Sequence, residues 1–540
     1  MLKVYLWHHP KPGGKDSQVL FKANINKDLT NLYVDTRGNE AQPVPFTQAV
    51  INGLADGGGL YVPETVPSLS LLDICALAEY PYRDRAAYIY RAFGVDLSED
   101  VVDECMKRSY GANFDNEAIC PITTLPDGTH MLELWHGPTS AFKDMALQCL
   151  PNFFEASAAK LRDEGKLDHG FCILVATSGD TGKAALEGFK GIDGVKVGVL
   201  FPDGGVSDIQ RKQMVTTTGD NVCVWAVTGN FDDCQTAVKR VFSDEAFAKR
   251  IMDEDGMALS SANSINWGRL MPQIVYYVSS YAELVKQNRI AAGDEIDVCV
   301  PTGNFGNILA AWYAKQMGTP IGTLFCASNE NRVLTDFINT GVYDISDRKF
   351  VLTPSPSMDI LVSSNLERQL FELTGRDPEA IKRWMADLSE KKRFDVDEAT
   401  AAKMAATFKG CSVDSAECLA TIKDVLDEYD YLMDPHTAVA YAAARKLRGS
   451  NPVLVASTAH WAKFGDNVYR ALNDIAPGEP LPAEVAALTG CQLNQLIAQD
   501  TGKHDIPAGL ARLDEMKPRF DEVIPNDVAS VEEAVSTFLK

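Results

Sequence analysis

FCILVATSGDTGKAALEGF, residues 171–189, runs from an unbroken apolar stretch into a polar turn rich in Gly and Thr, and then into an amphipathic segment. A half-exposed strand alternates apolar and polar residues, so a run without alternation suits a strand covered on both faces, as in a parallel sheet. The same order recurs in IDVCVPTGNFGNILAAWYA (296–314) and in PVLVASTAHWAKF (452–464). Repeated strand, turn and helix units define an α/β fold with a parallel sheet, and such folds bind ligands beyond the carboxyl ends of their strands. The three turns therefore form one rim around one site.

The chain has 540 residues, enough for two to four domains at roughly 150 residues each. Residues 1–29 are polar with Pro and Gly and read as an N-terminal extension, and residues 30–130 as a mixed, mainly helical domain. Residues 131–475 form the α/β region, with a smaller lobe at roughly 165–265, and 476–540 read as a helical appendage without identifiable chemistry.

Lys and Arg total 51 against 74 Asp and Glu, a net charge of -23. Phosphate backbones and anionic membranes are met by clustered cations, so neither nucleic acid nor membrane is expected as a partner. An anionic substrate then needs a local cationic pocket. Twelve cysteines without a C-x-x-C pair read as reduced, mostly buried thiols of a cytoplasmic protein. The opening MLKVYLWHHPKPGG has too short an apolar run for a signal peptide or membrane span, and the histidine and cysteine spacing gives no metal site.

One tetrapeptide occurs twice. Thr228-Gly229-Asn230-Phe231 is followed by Asp232 and Asp233, whose charge repels phosphate and suits the positive end of a helix. Thr302-Gly303-Asn304-Phe305 is followed by Gly306, Asn307 and an apolar helix, where backbone N–H groups and the helix dipole favour an anion. Gly303 to Asn307 is the expected phosphate cradle, with a tight turn that simply needs small residues as the competing reading. TSGDTGKAA lacks P-loop spacing and offers hydroxyls and helix-start donors suited to a small carboxylate, or else a helix capped by Ser178 or Asp180.

In HGPTSAFKDMAL (136–147) Thr139 or Ser140 is placed to cap a helix whose apolar stripe continues to Leu150, with Lys143 in the first turn. A cation is disfavoured there by the dipole. With an ordinary pKa of about 10.4, roughly one lysine in a few thousand is neutral at pH 7, so a Schiff-base lysine needs desolvation or positive potential. A helix start beside Phe142 supplies both, although a solvated charge fits the local sequence as well. Pro151 should kink or end this helix.

The turns taken together resemble threonine synthase, in the branch with a long N-terminal domain. The resemblance runs from Tyr33 to Leu472 through ELWHGPTSAFKDMALQ, ATSGDTGKAALEGF, GNFDDCQTAVK, SSANSINWGRLMPQ, VPTGNFGN and DPHTAVA. It implies a pyridoxal-phosphate enzyme of the tryptophan-synthase-β-like fold, fold type II, in two lobes. Lys143 is then the Schiff-base lysine; Gly303, Asn304, Phe305, Gly306 and Asn307 hold the cofactor phosphate, and Thr458 meets the pyridine nitrogen. Ser178, Gly179, Asp180 and Thr181 match the loop that takes the substrate carboxylate or faces the ring, and many relatives of the fold carry Asn where Asp180 stands.

Asn266, Arg269 and Lys183 are the expected ligands of a substrate phosphate, with a surface ion pair as the competing reading of Arg269. The implied activity is conversion of O-phospho-L-homoserine and water to L-threonine and phosphate, by γ-elimination and addition of water at Cβ, in a cytoplasmic monomer or weak dimer. A threonine or serine dehydratase of the same fold, or a silent amino-acid-binding relative, is the alternative.

Overall fold

The three unbroken apolar runs all form parallel strands in the computed structural model, which describes residues 30–540. The expected extension at 1–29 lies outside the described residues. Gly170–Ala176 sits in a five-stranded sheet, parallel throughout, in the order Val523–Ile524, Val222–Val227, Val195–Pro202, Gly170–Ala176, Met257–Ser260. Ile296–Pro301 and Val453–Ser457 are neighbours in a six-stranded sheet ordered Phe408–Ser412, Ile321–Ser328, Ile296–Pro301, Val453–Ser457, His130–Glu133, Ile122–Thr124. Only its last pair is antiparallel. Every residue of Val453–Ser457 is buried, as a strand covered on both faces requires.

The helix Trp267–Lys286 leads from the smaller sheet to the larger one and is buried without a break from Trp267 to Ala282. It is buried around its circumference and mostly apolar, the pattern of a helix surrounded by protein. Its Trp267 ring meets Tyr33 at 5.6 Å and Tyr313 edge-on at 5.3 Å. One apolar cluster thus contains Tyr33, Phe46 and Tyr90 of the N-terminal region together with Trp267, Phe305 and Tyr313.

The N-terminal region is mixed and mainly helical, with a small antiparallel sheet of Val44–Pro45, Leu32–Asp35 and Tyr61–Pro63. Its last strand, Ile122–Thr124, already belongs to the large sheet. Thr36 Oγ1 and Arg37 Nη2 donate to the Glu367 carboxylate at 2.6 and 2.8 Å, which ties this region to the helix Leu366–Leu373.

The C-terminal stretch corrects the expectation of an appendage. Val523–Ile524 pairs with Val222–Val227 and closes the edge of the smaller sheet. The helix Val528–Leu539 then buries Val531, Val535 and Leu539 in a cluster with Trp225, Val241 and Ile251. Lys196 Nζ donates to the carbonyls of Phe538 and Leu539 at 2.9 and 2.6 Å. A two-residue strand has no periodicity to read, and its partner lies hundreds of residues away. Among the described residues no helix is long and apolar enough to cross a membrane, and all twelve cysteines are free thiols.

Candidate active site

The three turns meet at one cavity of about 500 Å³ between the sheets. Ser178, Asp180 and Thr181 line it from the smaller lobe, Gly303 to Asn307 and Thr458 from the larger, and Lys143 and Arg269 face it from either side.

Lys143 is placed by the Thr458 turn. Phe142 N donates to Thr458 O at 2.7 Å, His460 N donates to Ser140 O at 3.1 Å, and Ala141 bridges Ala459. The helix that follows is short, Lys143–Leu147, and a second one, Leu150–Asp163, begins with Pro151 in its first turn. Proline is tolerated there because that N–H has no intrahelical partner. The break expected at Pro151 thus falls just before it.

The expected cap is also reversed. Neither Thr139 nor Ser140 caps the Lys143 helix; Thr139 N and Oγ1 donate to the buried Asp144 carboxylate at 2.8 and 2.7 Å. A Cβ on Gly137 would lie 2.4 Å from that of Asp144, so this loop closes only over glycine. Asp144 is a staple for the turn that presents Lys143. Burial pushes its carboxyl up to about 6, against the Thr139 bonds that favour the ion.

Lys143 Nζ donates to Ser357 Oγ at 3.2 Å and lies 3.7 Å from Asp180 Oδ2. Its side chain is 11% exposed. Burial, with the positive fields of Arg269 and Lys463, outweighs Asp180 and lowers the amine to about 8. Roughly one molecule in ten then carries it neutral at pH 7. Asp180 is itself held far below the usual carboxylate range: burial alone would raise it, but Lys463 and Lys143 prevail, with a bond from Gln210 Nε2 at 3.0 Å.

The helix Asp180–Phe189 is not capped by Ser178 or Asp180. Thr177 Oγ1 accepts from Gly179 N and Gly182 N, both at 3.0 Å, which leaves the other side chains to the cavity. Gly179 has φ 137°, and a Cβ there would meet the Gln210 amide at 2.3 Å. It shapes the turn through its backbone.

The cradle has its own constraints. Phe305 is left-handed at φ 62° as it enters the helix Gly306–Gln316, and a Cβ on Gly303 would meet Ser357 O at 2.7 Å. Asn307 Oδ1 accepts from the hydroxyls of Tyr276, at 2.7 Å, and Tyr277. Its Nδ2 is buried without a partner. A turn needing only small residues would not orient an amide in this way. The first TGNF copy is, as read, a helix start: Asn230 caps Phe231–Ser243 in a capping box with Asp233.

Arg269 is buried, with Nη1 bonded to Ala262 O at 2.8 Å and Nε lacking a partner. Among the described residues no carboxylate pairs with it, so the surface ion pair does not hold. Burial pushes it down to about 10. Two other expected phosphate ligands lie elsewhere. Asn266 Oδ1 accepts from Gly268 N at 2.8 Å, capping the long helix, while Nδ2 donates to Val50 O at 2.9 Å. Lys183 Nζ is bonded to Glu187 Oε2 at 2.9 Å and Thr217 Oγ1 at 3.0 Å. Both side chains are spent on structure because their helices turn them from the cavity.

Three residues were missed. Ser357 lies on the loop after the Val342–Asp344 strand, in a stretch without periodicity. His436 accepts from Ser357 N at its Nε2, 3.0 Å away, and gives its Nδ1 proton to Asp434 at 2.6 Å. Lys463, fully buried, is ion-paired with Asp180 Oδ1 at 3.1 Å. His436 lay in the DPHTAVA motif, and Lys463 stood five residues beyond Thr458. Those positions were the available signal.

Fold and site define a class: a two-lobed α/β protein with a buried lysine of lowered pKa facing, across one cavity, a glycine turn suited to an anion. Three family profiles match in order: Threonine synthase N terminus over residues 32–110, Pyridoxal-phosphate dependent enzyme over 131–412, and Threonine synthase, C-terminal over 437–501. The threonine synthase of Pseudomonas aeruginosa is 39% identical over 461 residues, covering 84% of this chain and 93% of the relative. Threonine synthase-like 1 of Macaca fascicularis is 43% identical over 436 residues, 79% of this chain, and this alignment spans 58% of the longer relative. The crystal structure of pyridoxal-phosphate-bound threonine synthase from Brucella melitensis superposes with a TM-score of 0.81 at 36% identity, covering 95% of this chain and 100% of that one.

The chain belongs to the threonine synthase family of pyridoxal-phosphate-dependent enzymes. The residues present fit that cofactor. Lys143 is a desolvated amine, the Gly303 to Asn307 turn offers an oriented and unpartnered amide donor, and Thr458 closes the cavity between them.

Proposed function

We propose that this chain converts O-phospho-L-homoserine and water to L-threonine and phosphate. The observation that carries the reading is Arg269, a buried cation without a carboxylate partner among the described residues, facing the same cavity as a separate anion cradle. One anion site suits the cofactor phosphate, and the second suits a substrate that brings its own phosphate. A dehydratase acting on free serine or threonine has no use for the second.

When bound, pyridoxal phosphate supplies an electron sink for the pairs left as protons leave Cα and Cβ. Lys143 Nζ takes the Cα proton, with Ser357 Oγ at 3.2 Å orienting the amine. It is also the nearest base to carry protons between Cβ and Cγ. The hydroxyls of Ser178 and Thr181, with the N–H groups opening the Asp180–Phe189 helix, hold the substrate carboxylate. Gly303 to Asn307 hold the cofactor phosphate, and Thr458 meets the ring nitrogen through a neutral hydroxyl. Arg269 draws the leaving phosphate from Cγ, after which the Cβ proton is added at Cγ, the hydroxyl of water adds at Cβ with its other proton going to the phosphate, and Lys143 returns the proton to Cα.

The net charge of -23 supports a small molecule as partner, with neither nucleic acid nor membrane. We read the protein as a cytoplasmic monomer or weak dimer, which sedimentation tests. The decisive experiment is release of phosphate from O-phosphohomoserine with threonine as stoichiometric co-product. Phosphate accompanied by a 2-oxo acid would mean elimination without water addition and would overturn the assignment. Lys143→Ala should abolish both turnover and the visible absorbance of the lysine-bound cofactor.

A further inference from the structure

We propose that Lys463 is a positioning residue for Lys143 and acts through Asp180. Lys463 ends the single turn Trp461–Lys463, five residues beyond Thr458, and is fully buried. Its Nζ has partners on three separate elements: it donates to Gln213 Oε1 at 2.9 Å and Thr139 O at 2.7 Å, and is ion-paired with Asp180 Oδ1 at 3.1 Å. A buried ammonium is costly unless paired and hydrogen-bonded, and this one is both. It joins the loop that carries Lys143, the helix that begins at Asp180, and the helix Asp208–Val215.

Asp180 divides its two oxygens. Oδ1 accepts from Gln210 Nε2 and is ion-paired with Lys463, and Oδ2 is left facing Lys143 Nζ at 3.7 Å. A carboxylate held from one side is thereby aimed at the amine on the other. Arg269 also faces Lys143, the His436 imidazole lies beside Asp180, and Asp144 and Lys183 lie within the field of Lys463. The carboxylate at 180 thus has its counter-charge in Lys463, and the two form one unit.

The sign of the effect follows. Lys463 repels the protonated Lys143 and draws Asp180 away from it, so both actions favour the neutral amine. Removing the charge gives Asp180 wholly to Lys143, which then keeps its proton to higher pH.

The inference rests on Lys143 as the reacting amine, but its test requires no threonine formation. In the cofactor-free full-length chain, the pH midpoint for modification of Lys143 by an amine-directed reagent is followed by peptide mass spectrometry. Lys463→Gln keeps donors for Thr139 and Gln213 while losing the charge; it should lower the neutral fraction at pH 7 about tenfold, one unit of midpoint. Lys463→Arg should restore most of it. In an Asp180→Asn background the effect of Lys463→Gln should shrink to less than about threefold, because the path through the carboxylate is gone. An unchanged midpoint in Lys463→Gln, folded by circular dichroism, would refute the inference, as would an equal shift in both backgrounds. If Lys463→Gln does not fold, Lys463→Met and Asp180→Asn/Lys463→Met give the same comparison.

Discussion

Replacing Arg269 by Leu separates two things the side chain does, and the structure sets their opposite signs. In the ligand-free protein the guanidinium is buried, bonded at Nη1 to one carbonyl and unpartnered at Nε. Losing a neutral-acceptor bond costs about 1 kcal/mol, whereas an unpaired buried charge carries a desolvation penalty of several kcal/mol. The unfolding midpoint of Arg269→Leu should therefore equal or exceed that of the parent. Catalysis runs the other way. Two charge-assisted bonds to a phosphate at about 1.5–3 kcal/mol each make about 3–6 kcal/mol, or roughly 10²- to 10⁴-fold in kcat/KM. The assay is initial-rate phosphate release from O-phosphohomoserine, with thermal unfolding on the same preparations. A folded Arg269→Leu that keeps kcat/KM within tenfold would remove the phosphate-binding role and with it the main argument against a dehydratase.

Asn266→Ala should do the converse: lose about 1–2 kcal/mol of stability through the vacated cap of the long helix, with KM for the phosphorylated substrate within about threefold of the parent. Asp144 has a folded pKa raised from 3.8 to about 6, so its stabilising share is present below the unfolded value and is lost as pH rises through about 6. Denaturant unfolding of parent and Asp144→Asn across pH 4–8 should show the parent losing about 3 kcal/mol more than the variant. A pH-independent difference would refute the buried staple. Truncation after Phe520 exposes the sheet edge at Val222–Val227 and the faces that Ile524, Val531, Val535 and Leu539 cover. At about 1.5–3 kcal/mol per side chain this should leave the smaller lobe open to limited proteolysis under conditions where the full chain resists.

Much of the site was legible because its signals are local. The apolar runs, their turns and the helices after them lie within about twenty residues, and period and turn chemistry act at that range. The cradle at Gly303 to Asn307 and the hydroxyl turn at Thr177 to Thr181 were read in this way, and both line the cavity. Side-chain direction was not legible. Asn266 and Lys183 stand in matching motifs yet point into a helix cap and an ion pair, because a shift of one residue on a helix turns a side chain by about 100°. Asp144, next to Lys143 in HGPTSAFKDMAL, is the acceptor that closes the Lys143 loop, a contact no local pattern shows.

By itself, then, the sequence determined the strands, the rim of turns and a lysine at a helix start beside an anion cradle, since each is a property of a short segment. Tertiary structure alone decided which charges face one another. Lys463 meets Asp180, and Arg269 is left without an acid, only once strand order brings distant turns to the same edge. Desolvation makes that decisive. The Lys143 amine is lowered to about 8 only where burial, helped by neighbouring cations, outweighs one carboxylate, a balance fixed by distances that no single segment contains.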